Sequence, residues 1–187
     1  MDLNPGHQSG ISTLQKFGAQ SVDNTVYIGL GSNKGDKLEF IREAVKKIQE
    51  DENCNVTIAS SVYETKPYGF KEQDNFLNAA IGITTGYSFN DLLLLLKKIE
   101  SEIGRTKNSK WGPREIDLDL LFYNNLVYED DRLTIPHKGV QNRDFVLVPL
   151  CEIAPELIHP ALNIKICDIY IEESEKCIIG KIPGKIL

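Results

Sequence analysis

Hydrophobic and polar positions recur along this chain with two periods, and the switches between them predict an ordered series of elements. Val26, Ile28 and Leu30 recur at period two and predict a short buried strand over residues 26–30. Leu38, Ile41, Val45 and Ile48 then fall three and four apart, the apolar stripe of a helix. Asp36 and Glu39 resemble a capping box at its start, and Asn53 marks its expected end. Residues 56–63 are rich in β-branched side chains and predict a second strand, followed by a Pro/Gly loop over 65–75 and a third strand over 76–84 that Gly86 breaks. Leu92, Leu95, Leu96, Ile99 and Ile103 restore the helical period, with Ser88, Asn90 or Asp91 as cap and Gly104 as stop. A polar loop over 105–110 leads into a last strand containing Asp117 and Asp119.

The order β-α-β-β-α-β predicts an α+β, ferredoxin-like sandwich, an antiparallel sheet with helices on one face. C-terminal additions follow: a turn at Asn124-Asn125 into a short strand, a helix over 142–153, and a tail whose 164–171 and 177–182 segments suggest a helix and a strand without evident chemistry. Residues 1–24 mix Gly, Ser, Gln, Asn and Pro with scattered apolars, and read as a disordered extension or a cloning remnant. Residues 25–187 then make one domain, a suitable size for a single core.

Composition narrows the function classes. The net charge of −6 argues against a nucleic-acid footprint or a polybasic membrane patch. The longest apolar run, residues 92–96, is too short to cross a membrane, and no apolar signal core opens the chain, so a cytoplasmic location is expected. Cys54, Cys151, Cys167 and Cys177 lie at wide, irregular spacings and read as reduced structural thiols.

The chemistry concentrates in residues 110–122. Asp117 and Asp119 occupy alternate positions of an otherwise apolar strand, so both project from one face about 7 Å apart while Ile116, Leu118 and Leu120 take the other. At an effective dielectric of about 20, two such charges repel by roughly 2 to 3 kcal/mol before any desolvation. A hard divalent cation reverses that sign, and Mg²⁺ normally takes only one or two carboxylates, completing its shell with water and substrate phosphates. A solvated edge strand explains an isolated Asp-x-Asp, but the Trp-Gly-Pro-Arg lead-in brings a cation directly to the pair. Arg105, Lys107, Lys110 and Arg114 precede the carboxylates, and His137 and Arg143 follow them, a set suited to polyphosphate. A solvated basic face accounts equally well for the lysines, and a packed loop for His137.

Two other segments bear on ligand binding. Gly29-Leu30-Gly31-Ser32-Asn33-Lys34-Gly35 lies between a strand and a helix, but Lys34 occupies the third glycine position of G-x-G-x-x-G and no Walker loop exists, leaving a tight turn or a direct ligand contact. Asn78 shares a strand face with Phe76 and offers an amide to a heterocycle.

Taken in order, Gly-Ser-Asn at 31–33, Tyr-Glu-Thr-Lys-Pro at 63–67, Phe-Leu-Asn-Ala-Ala at 76–80, Trp-Gly-Pro-Arg-Glu-Ile-Asp-Leu-Asp at 111–119, Ile-Pro-His at 135–137 and Asn-Arg-Asp-Phe at 142–145 resemble the 6-hydroxymethyl-7,8-dihydropterin pyrophosphokinase family. The resemblance spans residues 26–157. It implies transfer of pyrophosphate from ATP to the pterin alcohol, with AMP released, in folate biosynthesis. It also implies that Asp117 and Asp119 hold two Mg²⁺ ions and that Arg105 and Arg114 are catalytic cations of a mobile loop. By the same resemblance Gly31, Thr65, Pro67, Tyr68, Phe76, Asn78 and Phe145 shape the pterin site. Lys97, Glu100, Lys107, Trp111, Arg114, Leu120, His137, Lys138 and Arg143 would line the nucleotide. The chain departs from the family pattern at Phe76, Lys97, Lys107 and Lys138, where tyrosine, glutamine, arginine and tyrosine respectively are common. Lys107 matters most, since lysine lacks the bidentate fork of arginine. Two alternatives stand beside this reading: another two-metal nucleotidyl transferase on the same sheet, and a non-catalytic ferredoxin-like ligand-binding domain.

Overall fold

The computed structural model describes residues 23–105 and 112–187. Along the chain run β1 (Asn24–Ser32), α1 (Lys37–Gln49), β2 (Cys54–Ala59), β3 (Val62–Thr65), β4 (Phe76–Thr85), α2 (Phe89–Glu102), β5 (Asp117–Tyr123), β6 (Tyr128–Glu129), β7 (Thr134–Ile135), α3 (Asp144–Ile153), β8 (Ile158–His159), β9 (Ile164–Lys165) and β10 (Ile178–Ile182). The main sheet has the order β10-β3-β4-β1-β5, with β2 also paired to β4, and every pairing is antiparallel.

Both core helices form where the periodicity places them. Asp36 caps α1, its carboxylate accepting from the Glu39 amide at 3.2 Å, a contact worth about 1 kcal/mol. The reciprocal arm of a capping box is replaced by an ion pair from Glu39 to Arg42, 3.9 Å away. Ile41, Val45 and Ile48 of α1 and Leu92, Leu96 and Ile99 of α2 pack on Val26, Ile28, Leu30, Leu118 and Leu120 of the sheet. Each of these side chains contributes roughly 1.5–3 kcal/mol by leaving water.

Four expectations are corrected. Helix α1 ends at Gln49 rather than Asn53, whose carbonyl instead accepts from Thr85 and Gly86. The strand expected over 56–63 is two strands, because the Ser60 hydroxyl accepts the Ala80 amide and donates to the Ser61 carbonyl, interrupting the ladder. The tail segment 164–171 forms strand β9 and a 3₁₀ turn over Ile166–Asp168, not a helix. The turn expected within 29–35 falls at Gly35, whose φ is +66°, and not at Gly29 or Gly31, which lie inside β1.

Helix α3 and the tail cover the opposite sheet face with a second core of Leu121, Phe122, Val140, Leu147, Leu150, Ile166 and Ile171. A β-bulge helps build it. Pairing of β1 with β5 shifts between Tyr27 and Ile28, opposite Phe122 and Leu120, so Leu121 and Phe122 both join this second core while Leu120 and Tyr123 join the first. The Leu121 carbonyl accepts the His137 amide at 2.9 Å, which fixes the start of the 3₁₀ turn over Lys138–Gln141.

Candidate active site

On that second face, beside the start of α3, the sheet opens into a cleft. Gly29 and Gly31 of β1 make its floor, Thr65, Phe76 and Asn78 one side, Asp117 and Asp119 another, and Arg143, Phe145 and Val146 the end of α3. The glycines are required by close approach. A Cβ on Gly31 would lie 3.0 Å from Asn78 Oδ1, and one on Gly29 would lie 3.3 Å from the Leu121 side chain. Asn78 is held in place by its amide, which donates to Thr65 Oγ1 at 2.8 Å, leaving Oδ1 above the floor. Arg143 carries its guanidinium over Tyr68 at 5.2 Å and Phe145 at 6.0 Å, and those two rings are 6.0 Å apart.

The register of β1 with β5 sets Asp117 opposite Gly31 and Asp119 opposite Gly29, so both carboxylates rise beside the glycine floor. Their surroundings differ. Asp117 Oδ1 lies 2.9 Å from Arg105 and Oδ2 lies 2.6 Å from Arg114. The Asp119 side chain has no hydrogen bond or ion pair among the described residues; burial and the nearby Asp117 charge push its pKa up, with His137 and Lys97 partly offsetting them. Arg105 also pairs with Glu100. Burial alone would lower the Arg105 pKa, but Asp117 and Glu100 raise it on balance.

No cluster of three His, Cys, Asp or Glu side chains suited to a metal exists among the described residues. A site with only two protein carboxylates, on one rigid strand face and open to a cleft, fits a hard oxygen-seeking ion such as Mg²⁺ that draws its remaining ligands from water and phosphate. It does not fit zinc, which wants four protein or three protein and one water ligand, usually with nitrogen or sulfur.

Of the residues singled out in the sequence, Gly31, Thr65, Tyr68, Phe76, Asn78, Arg114, Asp117, Asp119, Arg143 and Phe145 meet in the cleft. Pro67 lies between two lining residues, Lys66 and Tyr68. Lys97 bridges Glu100 at 2.7 Å and the Leu118 carbonyl at 3.3 Å on the far side of β5. Of the described nucleotide-side expectations, Lys97, Glu100, Leu120, His137 and Lys138 do not line the cleft. Leu120 is 2 % exposed inside the first core, and Glu100 is 3 % exposed, accepting from the Leu118 amide at 2.8 Å and so bracing β5 from behind. Lys138 points to the surface, paired with Glu129 at 2.7 Å. His137 accepts the Gly139 amide through Nδ1 at 3.1 Å. Lys107 and Trp111, and with them the expected mobile loop, lie outside the described residues, as do residues 1–22 of the extension expected over 1–24; Asn24 of that stretch opens β1.

The sequence reading passed over Lys66 and Gln73, which line the cleft, and Asn33, which braces it. Asn33 is almost fully buried: its Oδ1 accepts the Arg114 amide at 2.8 Å while its Nδ2 donates to Gln73 at 3.0 Å and the Asp74 carbonyl at 3.3 Å. Beside it Lys34 pairs with Glu115 at 2.5 Å. The Gly-Ser-Asn-Lys run was the available signal, since a polar pair directly after a buried strand must find partners.

The family model described as 7,8-dihydro-6-hydroxymethylpterin-pyrophosphokinase (HPPK) matches residues 27–155. The chain belongs to this family. The 2-amino-4-hydroxy-6-hydroxymethyldihydropteridine pyrophosphokinase of Aquifex aeolicus is 46% identical over 136 residues, which is 73% of this chain and 84% of that protein. The pyrophosphokinase of the same name from Bacillus subtilis is 43% identical over 136 residues, covering 73% and 81%. Among solved structures, wild-type HPPK-DHPS of Plasmodium falciparum superposes with a TM-score of 0.62 at 17% identity, covering 79% of this chain and 44% of that one; this likeness carries the fold. The protein is an ATP-dependent pyrophosphokinase that transfers pyrophosphate from ATP to 6-hydroxymethyl-7,8-dihydropterin in folate synthesis. Family membership sets aside the nucleotidyl transferase and the non-catalytic binding domain. No described helix is long and apolar enough to cross a membrane.

Proposed function

We propose that residues 25–187 act as one pyrophosphokinase domain in which Asp117 and Asp119 carry two Mg²⁺ ions and the cleft divides into a pterin end and a polyphosphate end. The observation that carries this reading is the shared face of β5: two carboxylates, one of them with no side-chain partner among the described residues, beside a glycine floor and facing two arginines of the cleft. Bound there, the ions would neutralise polyphosphate charge and align the transferred group.

The chain's own residues supply the rest. Asn78 Oδ1 and the Thr65 hydroxyl meet the polar edge of the pterin, and Phe76, Tyr68 and Phe145 offer ring faces to its plane. Pro67 stiffens the loop between Thr65 and Tyr68. Gly31 admits the ring system close to the sheet. Arg114 and Arg105, each bonded to Asp117 here, would supply guanidinium groups to phosphate oxygens of the bound polyphosphate, with Arg143 placed at the start of α3. Lys97 and His137, whose charges act on Asp119, flank the nucleotide. Glu100 and Leu120 serve the nucleotide through the position of the β5 backbone. With a primary alcohol attacking and AMP leaving, catalysis is in-line positioning and charge neutralisation.

Manganese titration tests the metal count. With Mn²⁺ replacing Mg²⁺ and an unreactive ATP analogue and pterin both bound, paramagnetic resonance should show two ions per chain, falling when Asp119 is replaced by Asn. One ion per ternary complex, or a count indifferent to Asp119, overturns the two-metal reading. A turnover assay should show AMP formed in step with the pterin diphosphate.

A further inference from the structure

Asp144, within the Asn-Arg-Asp-Phe run, does not line the cleft and is 3 % exposed. Its Oδ2 accepts from the backbone amides of Cys177 and Ile178, both at 2.8 Å, and its Oδ1 accepts the Phe145 amide at 2.8 Å. A buried carboxylate is costly unless its oxygens are satisfied, and here three N–H donors converge on it at the positive end of α3. Two of the three come from the C-terminal tail.

The same stretch of tail reaches the other wall. The Cys177 carbonyl accepts the Lys66 amide at 2.9 Å, and Ile178 pairs with Thr65 where β10 joins β3. One peptide unit therefore ties the start of α3, which carries Arg143 and Phe145, to the segment carrying Thr65, Lys66 and Tyr68. The result is the interlocked wall in which Arg143 lies over both Tyr68 and Phe145.

We propose that Asp144 is a positioning residue for the pterin-side wall, holding Phe145 and Arg143 in register with Tyr68 through the tail strand. This inference rests on the assignment of that wall to the pterin. It makes the tail part of the specificity frame, although its own side chains stay out of the cleft. An aromatic wall displaced by about 1 Å can cost up to about 10²-fold in a positioned site, so partial loosening predicts a loss near tenfold.

Calorimetry on the full chain provides the test, with binding of an unreactive pterin measured at saturating Mg²⁺ and ATP analogue, and binding of the analogue measured alone. Asp144→Ala should weaken pterin binding about tenfold and leave analogue binding within about twofold. Asp144→Asn should fall between, since its amide oxygen still accepts from the tail while its NH₂ opposes the Phe145 amide. If Asp144→Ala does not fold, the split between the two ligands in Asp144→Asn decides. Equal weakening of both ligands, or pterin binding unchanged in either variant, overturns the proposal. Phe145→Ala separates the two levels: if it weakens pterin binding and the Asp144 variants do not, only the positioning role falls. If Phe145→Ala has no effect on pterin, the assignment of the wall falls and the proposal with it.

Discussion

Asp117 and Asp119 stand one strand repeat apart on the same face of β5, yet Asp117 is gripped by two guanidinium groups at 2.6 and 2.9 Å while Asp119 has no paired cation among the described residues. The two carboxylates therefore contribute to folding with opposite signs in the absence of metal. Asp117 neutralises Arg105 and Arg114, both largely covered. Asp119 keeps a desolvated negative charge next to another one.

Thermal melts of metal-free protein should separate them. Asp117→Asn leaves two arginines short of a charge-assisted partner and should destabilise by about 1–2 kcal/mol, part of the full value being lost to solvent screening. Asp119→Asn removes a repulsion and should melt no lower than the unmodified protein. Both should lose most turnover. A shared fall in melting temperature would mean that Asp119 also has a structural partner.

The pH dependence follows from the same asymmetry. The folded-state pKa of Asp119 is raised above its ordinary value of 3.8 by burial and by Asp117. A raised carboxylate contributes stability that is fully present below the unfolded value and is lost as pH rises through the folded one. The stability gap between Asp119→Asn and the unmodified protein should accordingly be small in acid, open as pH climbs past the ordinary aspartate value, and level off above the raised one. Mg²⁺ binding should strengthen over that same window, because the ion must displace the proton. Urea melts of both proteins without metal across pH 3 to 8 measure the gap; a gap constant with pH would place the titration elsewhere.

Much of this architecture is legible in the sequence because it is periodic. The Leu38, Ile41, Val45 and Ile48 stripe, the Ser88 cap and the alternation around Asp117 and Asp119 all encode local geometry that two or three residues suffice to read. What escaped is long-range and carried by the backbone. Asn33 binds residues 40 and 81 positions away, and Asp144 takes amides 33 and 34 positions away; neither contact has a period. The bulge near Leu121 is likewise silent, because an apolar residue there suits either face of a sheet covered on both. The glycines at 29 and 31 were visible, but what they make room for was not.

That room gives the next expected outcome. In Gly31→Ala the new Cβ would press on Asn78 Oδ1 at 3.0 Å, and Asn78 cannot swing away without breaking its 2.8 Å bond to Thr65. Overpacking of this kind costs about 1–3 kcal/mol, which is enough to raise the pterin KM roughly tenfold or more if Asn78 reads the pterin edge. The ATP KM should change little. Steady-state kinetics with each substrate varied in turn give the answer, and an unchanged pterin KM would remove Asn78 from recognition.

Asn33 offers the sharpest dissection, because its two amide atoms serve different walls. Its Oδ1 holds the Arg114 amide, and its backbone N–H donates to the Arg114 carbonyl at 3.1 Å, so the segment leading to Asp117 is clamped on both sides. Its Nδ2 holds Gln73 and the Asp74 carbonyl, anchoring the loop before β4 that brings Gln73 to the cleft. Asn33→Ala should loosen both and raise both KM values, with a stability loss of about 1–3 kcal/mol from the buried groups left unsatisfied. Asn33→Asp keeps the acceptor for Arg114 but turns a carboxylate toward the Asp74 carbonyl and the Gln73 oxygen. It should therefore spare the ATP KM within about twofold while raising the pterin KM by about the factor of ten that one lost hydrogen bond can carry. If Asn33→Asp instead raises both KM values equally, the two loops move as one body and Asn33 is a single clamp, with no division of labour between its oxygen and its nitrogen.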